Sequence, residues 1–177
     1  MNAPRALKHA LLASLCMQLF VVCNGVGAAP EEYDVKAAFL YNFASFTTWP
    51  VERGAYLDIC LYGEDPFGTS LDALVGKRVR GRELRISRSA SFEELTLCQV
   101  VFISGAAIAE LPEIVSALEG MPILLVADSP GALQRGVVIN LEVSGGRISF
   151  DANLLSAQSR DLELSSRMLG LAREVIQ

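Results

Sequence analysis

The stretch CQVVFISGAAIAELPEIVSALEGMPILLVA, Cys98–Ala127, decides the fold. Cys98–Ser104 is apolar on both alternating faces, as a strand covered on both sides must be. Leu111–Glu119 carries helical spacing and meets Gly120, a residue that accepts the left-handed conformation ending a helix. Met121–Ala127 is a second strand apolar throughout. Two such strands joined by a helix predict parallel neighbours, because parallel strands need a crossover connection.

The pattern extends in both directions. Upstream, Leu57–Gly63 reads as a strand, and Asp65 is expected to cap a helix with Pro66 at its first position, running to Val75. Val79–Ser87 reads as a strand with imperfect alternation. Ser91 is expected to cap one helical turn to Leu95, with Glu94 three residues on. Downstream, Ser129-Pro130 turns the chain and Ala132–Arg135 is a short helical piece. Val137–Val143 and Arg147–Asp151 flank Ser144-Gly145-Gly146 as a hairpin. Ser156–Ile176, with Leu162, Leu169 and Ile176, reads as a closing helix. The order predicts an α/β fold: a three-layer sandwich with a mainly parallel sheet, an antiparallel edge hairpin and flanking helices.

At the other end, YDVKAAFLYNFASFTTWP (Tyr33–Pro50) concentrates six aromatic residues. Glu31–Ser45 reads as a helix, ended near Thr47, Thr48 and Trp49-Pro50 because proline restricts the residue before it. Val35, Phe39, Phe43 and Phe46 lie near one stripe and are expected in the core. Tyr33, Tyr41 and Trp49 fall partly off that stripe, and Lys36 and Asn42 sit among them. Tyr33, Lys36, Tyr41, Asn42 and Trp49 are therefore a candidate partner-binding set, since Tyr and Trp anchor interfaces. The other reading is core packing throughout.

Residues 1–28 read as a secretory signal: Arg5 and Lys8, an apolar run Ala10–Val22 too short to span a bilayer, and Val26-Gly27-Ala28 before the cut. A single domain, residues 29–177, is then expected to be exported. The whole chain has 15 Lys and Arg against 20 Asp and Glu, a formal charge of −5. Losing Arg5 and Lys8 makes the exported part more acidic still, a poor match to nucleic acid or to anionic membrane surfaces. The whole chain's only histidine is His9, inside the signal, so the exported part is expected to have none. That removes Ser-His-Asp and Cys-His catalysis in their usual forms and His-ligated zinc.

Cys60 and Cys98 remain after the cut. Their spacing fits neither a redox C-x-x-C nor a zinc ribbon, and the compartment favours a disulfide over two buried thiols. Glu64, Asp65 and Asp128 follow strand ends, where open α/β sheets bind ligands, so they are weighed as a divalent-cation site. Against this stand helix capping by Asp65 and turn formation at Asp128, and no metal or cofactor is expected. Lys77, Arg78, Arg80, Arg82, Arg85 and Arg88 form a basic run. Arg80, Arg82 and Arg85 are candidates for holding an anion, the alternative being a solvated edge strand that blocks aggregation.

Two motifs carry a family resemblance. Tyr33-x-Val35-Lys36-Ala37-Ala38-Phe39-Leu40-Tyr41-Asn42-Phe43, then Phe46 and Trp49-Pro50, resembles the opening of YfiR-like periplasmic proteins. So do Ile148-x-Phe150-x-Ala152-Asn153 and Leu162-x-Leu164-Ser165-Ser166-Arg167-Met168-Leu169-x-Leu171-Ala172 near the end. The resemblance implies a periplasmic binding protein without chemistry of its own. It implies repression of an inner-membrane diguanylate cyclase through the cyclase's periplasmic sensor region; the periplasmic domain of a sensor kinase is the other partner class considered. An OmpA-like outer-membrane lipoprotein would relieve the repression, raising cyclic di-GMP and biofilm formation. It also implies a homodimer and redox sensitivity. This chain departs by lacking a second cysteine pair near Gly145-Gly146. A periplasmic module for small ligands or cell-wall fragments, using the basic strand, is the alternative reading.

Overall fold

The computed structural model describes residues 29–51, 54–89 and 91–177. The expected signal, 1–28, with His9, Cys16 and Cys23, lies outside the described residues. Helix α1 spans Ala29–Phe46 and leads into β1 (Thr47–Thr48). Then come β2 (Tyr56–Tyr62), α2 (Thr69–Asp72), β3 (Arg78–Val79), β4 (Arg82–Ser89), α3 (Phe92–Leu95) and β5 (Val100–Ile103). A 3-10 turn, Gly105–Glu110, runs into α4 (Leu111–Ala117), followed by β6 (Leu124–Ala127). The chain ends with β7 (Ile139–Ser144), β8 (Arg147–Asn153), α5 (Leu154–Gln158), β9 (Glu163–Leu164), α6 (Ser166–Leu169) and β10 (Glu174–Ile176).

Among the described residues, eight strands form one sheet in the order β10-β8-β7-β6-β5-β2-β4-β3. The strands from β4 through β7 run parallel. The β7–β8 hairpin is antiparallel, and β10 adds in parallel outside it. Alternation sorts the core. Leu57, Ile59, Leu61, Phe102 and Val126 face α1, together with Leu71 of α2 and Met168 of α6. Cys60, Val101, Ile103 and Leu125 face the opposite layer, built on Leu95 of α3 and on Leu111 and Ile114 of α4. Each fully buried Leu, Ile or Phe contributes roughly 1.5–3 kcal/mol. The three-layer expectation is met.

Local chemistry explains the deviations. The stretch read as one strand, Val79–Ser87, is a hairpin. Arg80 and Gly81 take φ of 52° and 85°, and Val79 pairs with Arg82 across that two-residue turn. Positive φ at both central positions matches the twist of the flanking strands. Gly145 and Gly146, at 57° and 73°, do the same between Ser144 and Arg147, as expected. Asp65 does not cap a helix running to Val75. Its Oδ1 accepts from the amides of Phe67 and Gly68, forming a local turn, and the helix begins only at Thr69. Such a side-chain bond competes with helix formation. Ser91 does cap α3, accepting from the Glu94 amide.

The closing helix expected over Ser156–Ile176 is absent among the described residues. α5 stops early, Asp161 takes φ of 55°, and the chain turns to pair Leu164 with Thr47 and Glu163 with Thr48. Ser165 then caps a separate turn by accepting from Met168 N. β10 closes on Asp151–Asn153 of β8. Strand partners distant in sequence override a weak local helical preference here.

Candidate functional site

Helix α1 presents two different faces, and they divide the residues first gathered as one set. Lys36, Ala37, Leu40, Phe43 and Ala44 are buried, so the inward stripe advances by three and four residues. Phe43 and Phe39 pack on Phe150 of β8, with centroids 5.0 and 5.9 Å away. Val35, expected inside, is 42% exposed because it lies beyond the edge of that stripe.

Lys36 sits on the inward stripe as a charged residue. Its Nζ lies 2.6 Å from Asp128 Oδ2, just past β6, and 2.6 Å from Glu32 Oε1 one turn back. The Tyr33 ring covers the ammonium at 4.3 Å, and the Tyr33 hydroxyl donates to Asp128 Oδ2 at 3.2 Å. Burial opposes the charge on Lys36, but the bonds to Asp128 and Glu32 outweigh it and raise the pKa above the ordinary lysine value. Burial, with the Asp128 charge beside it, likewise raises the Tyr33 phenol. Tyr33 and Lys36 thus pin the start of α1 to the carboxyl end of a central strand. Trp49 is 4% exposed and belongs to the core. Lys36 and Trp49 are interior residues rather than surface contacts.

Tyr41 and Asn42 stand on the outward side. They line a groove of about 360 Å³ between α1 and α2, with Asp34, Ala38, Ala73 and Lys77 among its other walls. Asn42 is exposed, while Tyr41 is half-buried and donates its hydroxyl to the Arg78 carbonyl at 3.2 Å. Ser70 donates to Asp34, both on the groove wall, which ties α1 to α2. Of the five residues first gathered, this groove brings together Tyr41 and Asn42.

The basic run is spread over several internal contacts. Arg85 makes a two-pronged bond to Asp58 at 2.7 and 2.8 Å and lies over the Tyr56 ring. Arg88 joins Asp65 and Asp72. Arg82 is buried against the Trp49 ring, and Arg80 Nη1 donates to Thr48 Oγ1. The three anion candidates are not brought to one open site, because Arg82 points inward and Arg85 is held by Asp58.

The acids are likewise separated. Asp65 is engaged by Arg88 and two backbone amides, which outweigh its partial burial and lower its pKa. Asp128 is engaged by Lys36. Among the described residues no group of three or more His, Cys, Asp or Glu side chains is placed to hold a metal ion. Cys60 and Cys98 form a disulfide with Cα atoms 6.0 Å apart, on the α4 side of the sheet. Cys98 lies just before β5 rather than in it.

Sequence reasoning missed that Asp128 is the partner of Lys36 and that Ser70 bonds Asp34 beside the groove. It also passed over Arg160, a buried arginine beside α4. No local signal marks these pairings, since their members lie 36 to 92 residues apart.

A family model described as YfiR/HmsC-like matches residues 33–173. Among solved structures, a conserved domain protein from Vibrio cholerae O1 biovar eltor str. N16961 is 9% identical, with a TM-score of 0.52 over 81% of this chain. An ABC domain from Streptococcus pneumonia in complex with L-Trp is 10% identical, with a TM-score of 0.49 over 68% of this chain. The chain spans 60% and 55% of those two chains, and at such identities the first likeness is one of fold alone.

Proposed function

The chain belongs to the YfiR/HmsC-like family, and from that premise we propose a periplasmic regulatory protein that binds the sensor region of an inner-membrane diguanylate cyclase and represses it. The observation that carries this reading is the family match, which runs from the first turns of α1 to the residue before β10 and so takes in nearly the whole domain. Residues 1–28 supply the export signal in this reading. An OmpA-like outer-membrane lipoprotein relieves the repression, and the working form is a homodimer. The protein performs no catalysis itself.

The contact face is the outward side of α1 and its groove against α2, centred on Tyr41 and Asn42. An interface of useful strength needs aromatic and polar groups on a rigid element. α1 is rigid because its other face is buried and its start is pinned by Lys36. The ligand-module alternative is weakened in its original form, since Arg85 and Arg88 of the basic strand are engaged by carboxylates.

Two linked measurements test the proposal. Photo-crosslinking from position 42 in whole cells, followed by mass spectrometry of the membrane fraction, is expected to capture a cyclase or a sensor kinase. Deleting the gene is expected to raise cyclic di-GMP. An unchanged cyclic di-GMP level would overturn the cyclase as partner.

A further inference from the structure

Arg160 follows α5 and is 4% exposed, in a residue type almost never buried without a partner. One donor, Nη1, closes the end of α4 on the Leu118 carbonyl at 2.6 Å. A guanidinium offers five N–H donors, so most of its capacity remains. Among the described residues no carboxylate forms an ion pair with it; Glu119 acts only through its field. Burial lowers the pKa of this group, and the nearby Glu119 charge works against that. Arg85, Arg88 and Arg173 are the reverse, exposed at the surface and each held by an aspartate. Arg160's donors that are not bonded to protein are not sealed in the core, and the residue lines a groove.

Arg160 lines a groove of about 580 Å³ between α4 and α5. Ser116, Ser156 and Ser159 also line it, as do Gly120 and Gly136. Ser159 donates its hydroxyl to the Ser156 carbonyl at 3.1 Å. Among the described residues the hydroxyls of Ser116 and Ser156 make no hydrogen bond to protein, which leaves both free to donate into the groove.

We propose that this groove binds a small oxyanion, a carboxylate or a singly charged phosphate group, held by the Arg160 guanidinium with the Ser116 and Ser156 hydroxyls donating beside it. The planar fork of arginine matches two oxygens on one centre, which a spherical ion does not offer. The carbonyl end of α4 and the exposed Glu119 add negative potential at the rim, so single charge is favoured over double. The site is independent of which membrane enzyme the protein engages.

The test is an amide NMR titration of the full chain with sodium acetate and, separately, inorganic phosphate, at ionic strength held constant with sodium chloride. Saturating shifts are expected at Gly120, Gly136 and Ser156. Acetate alone would assign a carboxylate, and phosphate alone a phosphate group. Arg160→Lys keeps the charge but loses the fork and is expected to weaken binding about tenfold, the worth of one charge-assisted bond. Ser116→Ala with Ser156→Ala leaves the Leu118 contact in place, and is expected to weaken binding several-fold; it decides the matter if Arg160→Lys fails to fold. No saturation with either anion, the same shifts with chloride alone, or unchanged binding in the serine variant would overturn the proposal.

Discussion

Lys36 Nζ and Asp128 Oδ2 stand 2.6 Å apart although 92 residues separate them, and both side chains are almost wholly buried. Breaking a buried pair leaves an uncompensated charge, which costs about 3–5 kcal/mol. Lys36→Met is therefore expected to lower the unfolding free energy by about that much in urea melts. Lys36→Met combined with Asp128→Leu removes both charges and is expected to recover most of the loss.

The same cluster sets an alkaline limit. Lys36 and Tyr33 both bind their protons more tightly folded than unfolded. Their contributions are complete below the unfolded values of 10.5 and 10.0, and are lost as pH rises through the folded values above them. Melting temperature is expected to fall beyond that point, and less steeply in Lys36→Met. Asp65 acts at the opposite end: its lowered pKa gives stability that is present above the unfolded value of 3.8 and is lost as pH falls through the folded one.

Gly63 has φ of 93°, and a Cβ placed there would meet Ser104 Oγ at 2.3 Å and Ala107 Cβ at 2.7 Å. Gly63→Ala combines left-handed strain with overpacking and is expected to cost about 3 kcal/mol. Gly54→Ala shares the positive φ but meets nothing within 4 Å, so it isolates the strain alone.

The Cys60–Cys98 bridge spans a separation of 38 residues and ties β2 to the segment just ahead of its neighbour β5. Its removal by Cys60→Ser with Cys98→Ser is expected to cost about 2–5 kcal/mol, measured as a drop in melting temperature that reductant reproduces in the parent protein.

Asn42 is exposed, so Asn42→Arg is expected to leave the melting temperature within about 1 °C while reducing capture of the membrane partner. Unchanged capture would remove the α1–α2 groove from the interface.

The parts of the fold legible in sequence were those whose cause is local. The apolar run Val100–Ile103 makes a strand because every residue is buried, and Gly145-Gly146 makes a tight hairpin because both positions need positive φ. The Arg80-Gly81 turn escaped notice because arginine is an unusual occupant of that conformation. The C-terminal segment misled because Leu162 and Leu169 keep helical spacing across two separate pieces. What holds them apart is β1, far back in the chain.

The site was less legible for a related reason. The periodicity of α1 is visible, but its phase is set by what it packs on. A lysine within an apolar stripe reads as a surface residue until Asp128 is known to face it. Trp49 reads as an anchor for a partner until Arg82 is found beneath its ring.

The pairing of Thr47–Thr48 with Glu163–Leu164 has a consequence for how the chain is made. β1, which follows α1, finds its strand partner only in β9. A polypeptide emerging from its N-terminus would deliver β1 long before the strand that pairs with it. Thr47 and Thr48 would wait unpaired until β9 emerged. Contacts this distant slow folding, because long loops must close before they stabilise anything. β1 and β9 each depend on the other, so a chain truncated after Asn153 is expected to lose hydrogen-exchange protection at Thr47 and Thr48.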